Sequence, residues 1–468
     1  MRRLSALVAV LVAMVGLTAL PAQAATELIK NGTFGTTNPD NWWSSTAAPI
    51  RIETGRLRVD VASVANPWDA IVGQSGLSLT QGKSYTLAFD AYSSVAYTAR
   101  TTVQLESSPS TQPLSQDVAL TTASRRFSFP FTWSAASTTG GAQVTFQLGG
   151  HGAAVVRFDN VSLQEAANPI SGTTGLYVDD QSHPAQWVSA NRTSDPGRAS
   201  AIDAGIATKP IFQWFGDWFP NPTNAVTTYV NAAQAQNKLP MLVAYNVTKR
   251  DSCATQSTGG APDEPTYQTW ITNFANAIGT RPAIVVLEPD AIPGMSCLDG
   301  NQQALRLREL NYALDTLRAK APNAWTYLDA GNSTWGAATD IARWSDQAGL
   351  RKARGFSLNV SNFFTTADTG TRAGAVNAEL TKYGYTKPYV IDTSRNGNGP
   401  YTGPPINDSW CNPPGRKLGT PPKQQQTGAE FLLWVKVPGD SDGSCNTGAG
   451  IPAGTFDPGL AMHLINGD

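Results

Sequence analysis

The stretch "AIVVLEPDAIPG", Ala283 to Gly294, decides how the chain is read. An apolar run of strand length enters two carboxylates, Glu288 and Asp290, with Pro289 between them. A run of four to eight apolar residues closed by a turn signal reads as a fully buried strand. The acids at its end either cap the following turn or were placed there to do chemistry.

Working outward, the same grammar recurs. Strand candidates are "PIFQWFG" from Pro210, "MLVAYNV" from Met241, "TYLDAG" from Thr326, "GFSLNV" from Gly355, "YVIDTS" from Tyr389 and "FLLWVKV" from Phe431. Helical patterns lie between most of them, among them "NAVTTYVNAAQAQN", "TYQTWITNFANAIG" and "NQQALRLRELNYALDTLRAKA". The last predicts one face lined by Leu305, Leu307, Leu310, Leu314 and Leu317. Buried strands alternating with helices predict a parallel sheet, and about seven such units predict a closed, distorted α/β barrel short of eight strands. In such barrels the active site sits where the strands end. Those ends carry Trp214 and Asp217, Tyr245 then Asp251, Glu288 and Asp290, Asp329, Asn359, Asp392 and Arg395, and Lys436, Asp440 and Asp442. A helix cap or turn residue explains any one acid. It does not explain acids and aromatics returning to one edge strand after strand.

From about Ile29 to Glu165 the period is two. "RFSFPFTW" puts Phe127, Phe129, Phe131 and Trp133 on one face, and "QVTFQLG" does the same with Val144, Phe146 and Leu148. "SYTLAFDAYS" and "AVVRFDNVSL" also read as strands, and Pro130 suits an edge strand. The expectation is a β-sandwich of jelly-roll type. The domains are then residues 25–166, a linker at 167–174 with the small residues of "AANPISGTTG", and 175–468. Residues 1–24 read as an export signal: Arg2 and Arg3, an apolar middle, and Ala22-Gln23-Ala24 as cleavage site. The chain is expected to be secreted, with no membrane span.

The whole chain has 34 Lys plus Arg against 35 Asp plus Glu. That balance argues against a nucleic-acid partner and fits a neutral ligand. The three histidines, His151, His183 and His463, are scattered, and no cysteine spacing resembles a metal site. Chemistry must rest on carboxylates, which serve as acid and base on acetals. Trp214, Trp218, Trp335 and Trp410 fall near strand ends, where aromatic faces can receive sugar rings. Packing in the core is the alternative for each, and it is the preferred reading for Trp434, inside a strand. Four cysteines in an exported chain pair, in any of three ways.

The second domain resembles glycoside hydrolase family 6, the inverting cellulases. "VVLEPDAI", "AYNVTKRDSCATQSTGG" and "LWVKVPGDSDGSC" carry the resemblance, with "YLDAGNSTW" and "VIDTSRNGNGP…WCNPPGR" adding to it. It implies Asp290 as general acid and Asp251 as the neighbour that raises its pKa. Asp442 would be the base, helped by Ser257 and a water chain, and Tyr245 would crowd the sugar ring. Asp329, Asn359, Lys436 and Asp440 would bond sugar hydroxyls, and Trp214, Trp335 and Trp410 would be platforms. Glu288 would orient its loop rather than react. The resemblance also selects the bridges Cys253–Cys297 and Cys411–Cys445. It departs at Ser252, inserted between Asp251 and Cys253, so that loop must bulge and Ser257 is expected off its usual place. It departs again at Asn332, where a histidine is common, and at Asp440, where a glutamate is common.

The first domain resembles carbohydrate-binding modules of the family 4/9 group, through "ELIKNGTF", "NWW" and "FQLGG…VVRFDNVSL". Trp43, Trp68, Arg100 and Gln147 are the candidate contacts, with core packing the alternative for either tryptophan. The resemblance also suggests a structural calcium near Asp159. The catalytic site needs no metal or cofactor. Only a moderate segment separates Asp392 from Asp442, which suits an open cleft and endo action on a β-1,4-glucan by a monomer. A cellobiohydrolase of the same family and a non-catalytic glucan-binding protein are the alternatives.

Overall fold

The computed structural model describes residues 26–81, 83–165, 172–253, 256–425 and 428–468. The expected export signal and residues 167–171 of the expected linker lie outside the described residues. No described helix is long and apolar enough to cross a membrane.

The first domain is two facing five-stranded sheets. Its strands are β1 (Trp43–Ser44), β2 (Ile50–Glu53), β3 (Arg56–Val61), β4 (Ile71–Leu79), β5 (Ser84–Ser93), β6 (Tyr97–Leu105), β7 (Leu114–Leu120), β8 (Arg125–Thr132), β9 (Thr138–Gln147) and β10 (Ala154–Glu165). The orders are β1-β4-β9-β6-β7 and β2-β3-β10-β5-β8. Strand β8, which carries Pro130, is at an edge, where a missing N–H costs no ladder bond. Alternation along β5 and β9 sends Leu87, Phe89, Val144 and Phe146 inward. Phe146 stacks on Phe158 at 4.1 Å and meets Phe89 edge-on at 4.9 Å.

Trp42, not Trp43, fills this core. Trp43 lies across Gly73 on the outer face, where an added Cβ would come within 2.6 Å of the indole. Arg100 pairs in register with Gln147 on that same face, and its guanidinium binds Asp117 at 2.8 Å. Trp68 is 59% exposed. Asp159 accepts the Asn160 N–H at 2.7 Å and lies 3.6 Å from Arg56.

The second domain is a curled sheet wrapped by helices. Its strands are β11 (Gln213–Gly216), β12 (Met241–Tyr245), β13 (Ala283–Leu287), β14 (Ala324–Asp329), β15 (Gly355–Leu358), β16 (Tyr389–Asp392), β17 (Lys423–Gln424) and β18 (Phe431–Leu433). The order is β11-β12-β13-β14-β15-β16-β18-β17, parallel throughout except for β17. The helices are α1 (His183–Asn191), α2 (Pro196–Ile202), α3 (Thr223–Ala235), α4 (Glu264–Ile278), α5 (Gly300–Lys320), α6 (Ala338–Gln347), α7 (Thr366–Thr381) and α8 (Pro458–Asn466).

Strand β13 is buried on both faces. Ile284 and Val286 point into the curl with Met241, Val243, Tyr245 and Tyr327. Ala283, Val285 and Leu287 point out to the helices. This alternation explains why the strands read as continuous apolar runs. Asp299 and Gln302 cap α5 reciprocally, at 2.9 and 3.2 Å. The buried face of α5 differs from expectation. It begins with Arg306 and Glu309 rather than Leu305, because those two charges reach loops at the strand ends.

The expected closed ring is not laddered. Strand β11 is one edge of the sheet, and it meets the far flank where the Phe212 N–H donates to Trp434 O at 3.1 Å. The "FLLWVKV" run also yields a shorter strand than its apolarity suggests. After Leu433, the N–H groups of Val435 and Lys436 donate to the Asp392 carboxylate, at 3.2 and 3.0 Å, instead of to a strand. Trp434 packs in the core, as its place in the run predicts.

Candidate active site

At the carboxyl ends of β12 and β13 the backbone leaves the ordinary regions. Lys249, Asp251, Glu288 and Asp290 all have positive φ, between 49° and 69°. Such conformations cost non-glycine residues about 1–3 kcal/mol each and persist only where the surroundings fix them. The fixing groups are visible. The Asp290 N–H donates to Asp329 Oδ2 at 2.9 Å. Buried Glu288 accepts the N–H groups of Asn246 and Val247, at 2.8 and 2.9 Å, and the Tyr267 hydroxyl at 3.0 Å. From behind, Arg306 donates to the carbonyls of Ala291, Thr248 and Lys249. One guanidinium therefore holds both acid-bearing loops.

Across these loops runs a polar chain. Asp251 Oδ2 accepts the Ser257 N–H at 2.7 Å and the Ser257 hydroxyl at 3.3 Å. Ser257 Oγ lies 3.2 Å from the Tyr245 hydroxyl, which lies 3.4 Å from Asp290 Oδ2. Ser252, next to Asp251, donates its hydroxyl to Gly294 O at 3.2 Å. Cys253 is bonded to Cys297, tying the loop of Asp251 to that of Asp290.

Burial pushes the Asp290 pKa from 3.8 to about 7, with the Asp251 charge adding to it and the Tyr245 hydroxyl opposing. Burial likewise raises Glu288 to about 7 and Asp329 to about 8, the latter helped by Asp290.

The opposite flank follows β18. Asp442 is buried, bonded to Arg395 at 2.7 Å and 3.3 Å from the Lys436 ammonium. Asn412 clasps it twice, through its own N–H at 3.0 Å and by accepting the Asp442 N–H at 2.9 Å. The bridge Cys411–Cys445 secures that clasp. Burial would raise the Asp442 pKa, but the Arg395 and Lys436 charges win and hold it below the usual carboxylate value. The Lys436 charge acts on Asp290 as well, so the two flanks share one electrostatic field.

Two of the expected sugar contacts, Asp329 and Asn359, are enclosed by the protein. Asp329 is 1% exposed and Asn359 is fully buried. Asp329 accepts from Asp290, Gly331 and Ser357, and Asn359 bonds Phe364 and Asp392. With their polar atoms committed to the protein, they shape the strand ends instead. Lys436 donates to Ser441 O at 3.0 Å, and Asp440 faces His183 at 3.0 Å. Trp335 and Trp410 are half-buried in loops. Trp214 meets Tyr245 edge-on at 5.2 Å and donates its indole N–H to Val435 O.

Sequence reasoning gave no role to Arg250, Arg306, Asn412 or His183. Arg250 is buried, binds Asp217 at 2.7 Å and Ser257 O at 2.8 Å, and lies 4.8 Å from the centre of the Tyr245 ring. Its signal was its place beside Asp251, and that of Arg306 was a charge inside an apolar helical period.

The sequence model of Glycosyl hydrolases family 6 matches residues 172–462, and that of a carbohydrate binding domain of the 4/9 group matches residues 26–155. Endoglucanase 1 of Streptomyces halstedii is 48% identical over 303 residues, 64% of this chain and 92% of that protein. Endoglucanase A of Cellulomonas fimi is 38% identical over 297 residues, 62% of this chain and 61% of that protein. Among solved structures, the endoglucanase Cel6 from Mycobacterium tuberculosis, bound to a thio-linked cellobioside, superposes with a TM-score of 0.58 at 37% identity. It covers 64% of this chain and 99% of that one.

Proposed function

The chain belongs to family 6 of the glycosyl hydrolases, and on that premise we propose how its own residues cut a β-1,4-glucan. It is an endo-β-1,4-glucanase that inverts the anomeric centre, and the chemistry takes no cofactor. One observation carries the assignment of roles. Two buried aspartates have their pKa values driven in opposite directions, Asp290 up to about 7 and Asp442 down. Such a divergence marks the acid and the base of a site.

Asp290, protonated at and below neutral pH, gives its proton to the leaving glycosidic oxygen. Asp251 keeps that proton on Asp290 by charge repulsion, and the Ser257–Tyr245 chain offers a path to restore it. Asp442 stays ionised and takes the proton of the attacking water, directly or through a water chain. Its pairing with Arg395 and Lys436 makes it a weak base, so it acts as charge develops on the water rather than before. The Tyr245 ring, stiffened by Arg250 and Trp214, crowds the sugar and favours a distorted ring. Trp214, Trp335 and Trp410 serve as platforms, and Lys436 and Asp440 bond hydroxyls.

We read the sandwich at residues 25–166 as a jelly roll whose outer face, with Trp43, Trp68, Arg100 and Gln147, holds a glucan chain. The curled sheet is read as a distorted seven-stranded barrel. Residues 1–24 direct secretion, and the mature protein works as a monomer.

The test is Asp290→Asn. Turnover of soluble β-glucan should fall about 10²–10⁴-fold, the usual worth of a general acid, with the circular dichroism spectrum unchanged. Proton NMR of the wild-type reaction should show the α-anomer first. Full turnover by the variant, or β-anomer in the first minutes, would remove the reading.

A further inference from the structure

His183 opens α1, far in sequence from the acids, yet its Nδ1 lies 3.0 and 3.1 Å from the two oxygens of Asp440. Asp440 stands where the family resemblance leads one to expect a glutamate. A carboxylate one methylene shorter reaches less far, and here the imidazole meets it. The contact is built into the fold. Asp440 pairs with Phe456 through an isolated bridge, and Trp187 of α1 packs on Phe456 with ring centres 6.3 Å apart.

The pair belongs to the Asp442 flank. From His183 the groups run Asp440, Lys436, Asp442 and Arg395, alternating in sign, with Lys436 felt by His183 and in contact with Asp442. The His183 side chain is 51% exposed while that of Asp440 is 8% exposed. The imidazole is therefore the more exposed partner of the pair. Among the described residues no hydrogen bond engages Nε2. The bond to Asp440 raises the His183 pKa, against burial and Lys436. Protonated, the ring donates from both nitrogens.

We propose that His183 is a substrate-positioning and specificity-determining residue, whose Nδ1–H fixes Asp440 while Nε2 bonds a sugar hydroxyl on the Asp442 flank. This rests on the reading of the strand ends as a β-glucan site.

Three variants test it on cellotetraose: His183→Ala, His183→Asn, which retains a donor near the Nδ1 position, and Asp440→Asn. A charged hydrogen bond is worth enough to move affinity roughly tenfold or more. We expect His183→Ala to raise KM about tenfold with kcat within about twofold, and His183→Asn to recover part of the loss. The double variant His183→Ala/Asp440→Asn should lose less than the two single losses combined. In Asp290→Asn, added cellotriose should shift the His183 imidazole resonance, a readout that a merely structural ring would not give. An unchanged KM in His183→Ala, strict additivity, or a resonance indifferent to cellotriose overturns the proposal. A wild-type protein that hydrolyses no glucan removes instead the reading beneath it.

Discussion

Asp251→Asn isolates the electrostatic part of the mechanism. The substitution removes a charge but keeps an oxygen for the Ser257 N–H, which now donates at 2.7 Å. Asp290 rises from 3.8 to about 7, with burial the larger cause and the Asp251 charge the second. That rise of about three pH units corresponds to about 4 kcal/mol, at 1.36 kcal/mol per unit. Burial leads and the Asp251 charge comes second, so removing the charge gives back part of that rise and leaves the part that burial causes. The acid must be protonated to work, so activity is lost as pH rises through its pKa. Asp251→Asn should therefore move the alkaline limb of the kcat/KM profile towards acid, by a part of that rise of about three pH units. The limb should remain well above the ordinary carboxylate range, since the burial is untouched. The assay is initial-rate hydrolysis of a soluble β-glucan from pH 4 to 9, with stability followed in parallel. An alkaline limb that stays put or moves upward would refute the argument.

Arg395→Met leaves Asp442 buried with Lys436 as its one remaining cation among the described residues and the Asn412 N–H still bonded to it, and breaking such a pair costs about 3–5 kcal/mol, readable by urea denaturation. The native pKa of Asp442 is lowered, so the pair's contribution is full above the unfolded carboxylate value and fades as pH falls through the native one. The deficit of the variant should narrow in strong acid. Replacing both Cys411 and Cys445 by serine should cost about 2–4 kcal/mol in thermal unfolding. It should lower kcat as well, because the Asn412 clasp on Asp442 slackens. Trp43→Ala should reduce retention on insoluble cellulose and leave hydrolysis of a soluble substrate unchanged; equal loss of both would contradict its place on the outer face of the first domain.

Much of this architecture was legible because burial writes itself as periodicity. The β13 run, apolar on both faces, announces a parallel strand, and the alternation of β9 announces a half-wet sheet. Asp290 and Asp251 were legible as residues at strand ends. What periodicity cannot carry is the partner of a buried polar group. Asp329 and Asn359 sit at the expected edge but turn inward, because the positive-φ turns leave N–H groups needing acceptors. Arg306 and Glu309 broke the leucine pattern of α5, and only the fold shows that Arg306 donates to the carbonyls of Ala291, Thr248 and Lys249 while Glu309 accepts from the Thr248 N–H and hydroxyl. His183 gave no local signal, since its meaning lies in a residue more than two hundred positions away. The choice of Trp42 over Trp43 for the core turns on a single step of register, which flips a side chain across a sheet.

The filled interior of the curl has a mechanical consequence. Val243, Ile284, Val286 and Tyr327 pack it solid, so no polymer threads between the strands. The loops of Asp290 and Asp442 follow β13 and β18 at the strand ends, and a filament reaches them by lying across those ends rather than by entering a bore. It can be laid there anywhere along its length, so a cello-oligosaccharide blocked at both ends should be cut as readily as an open one.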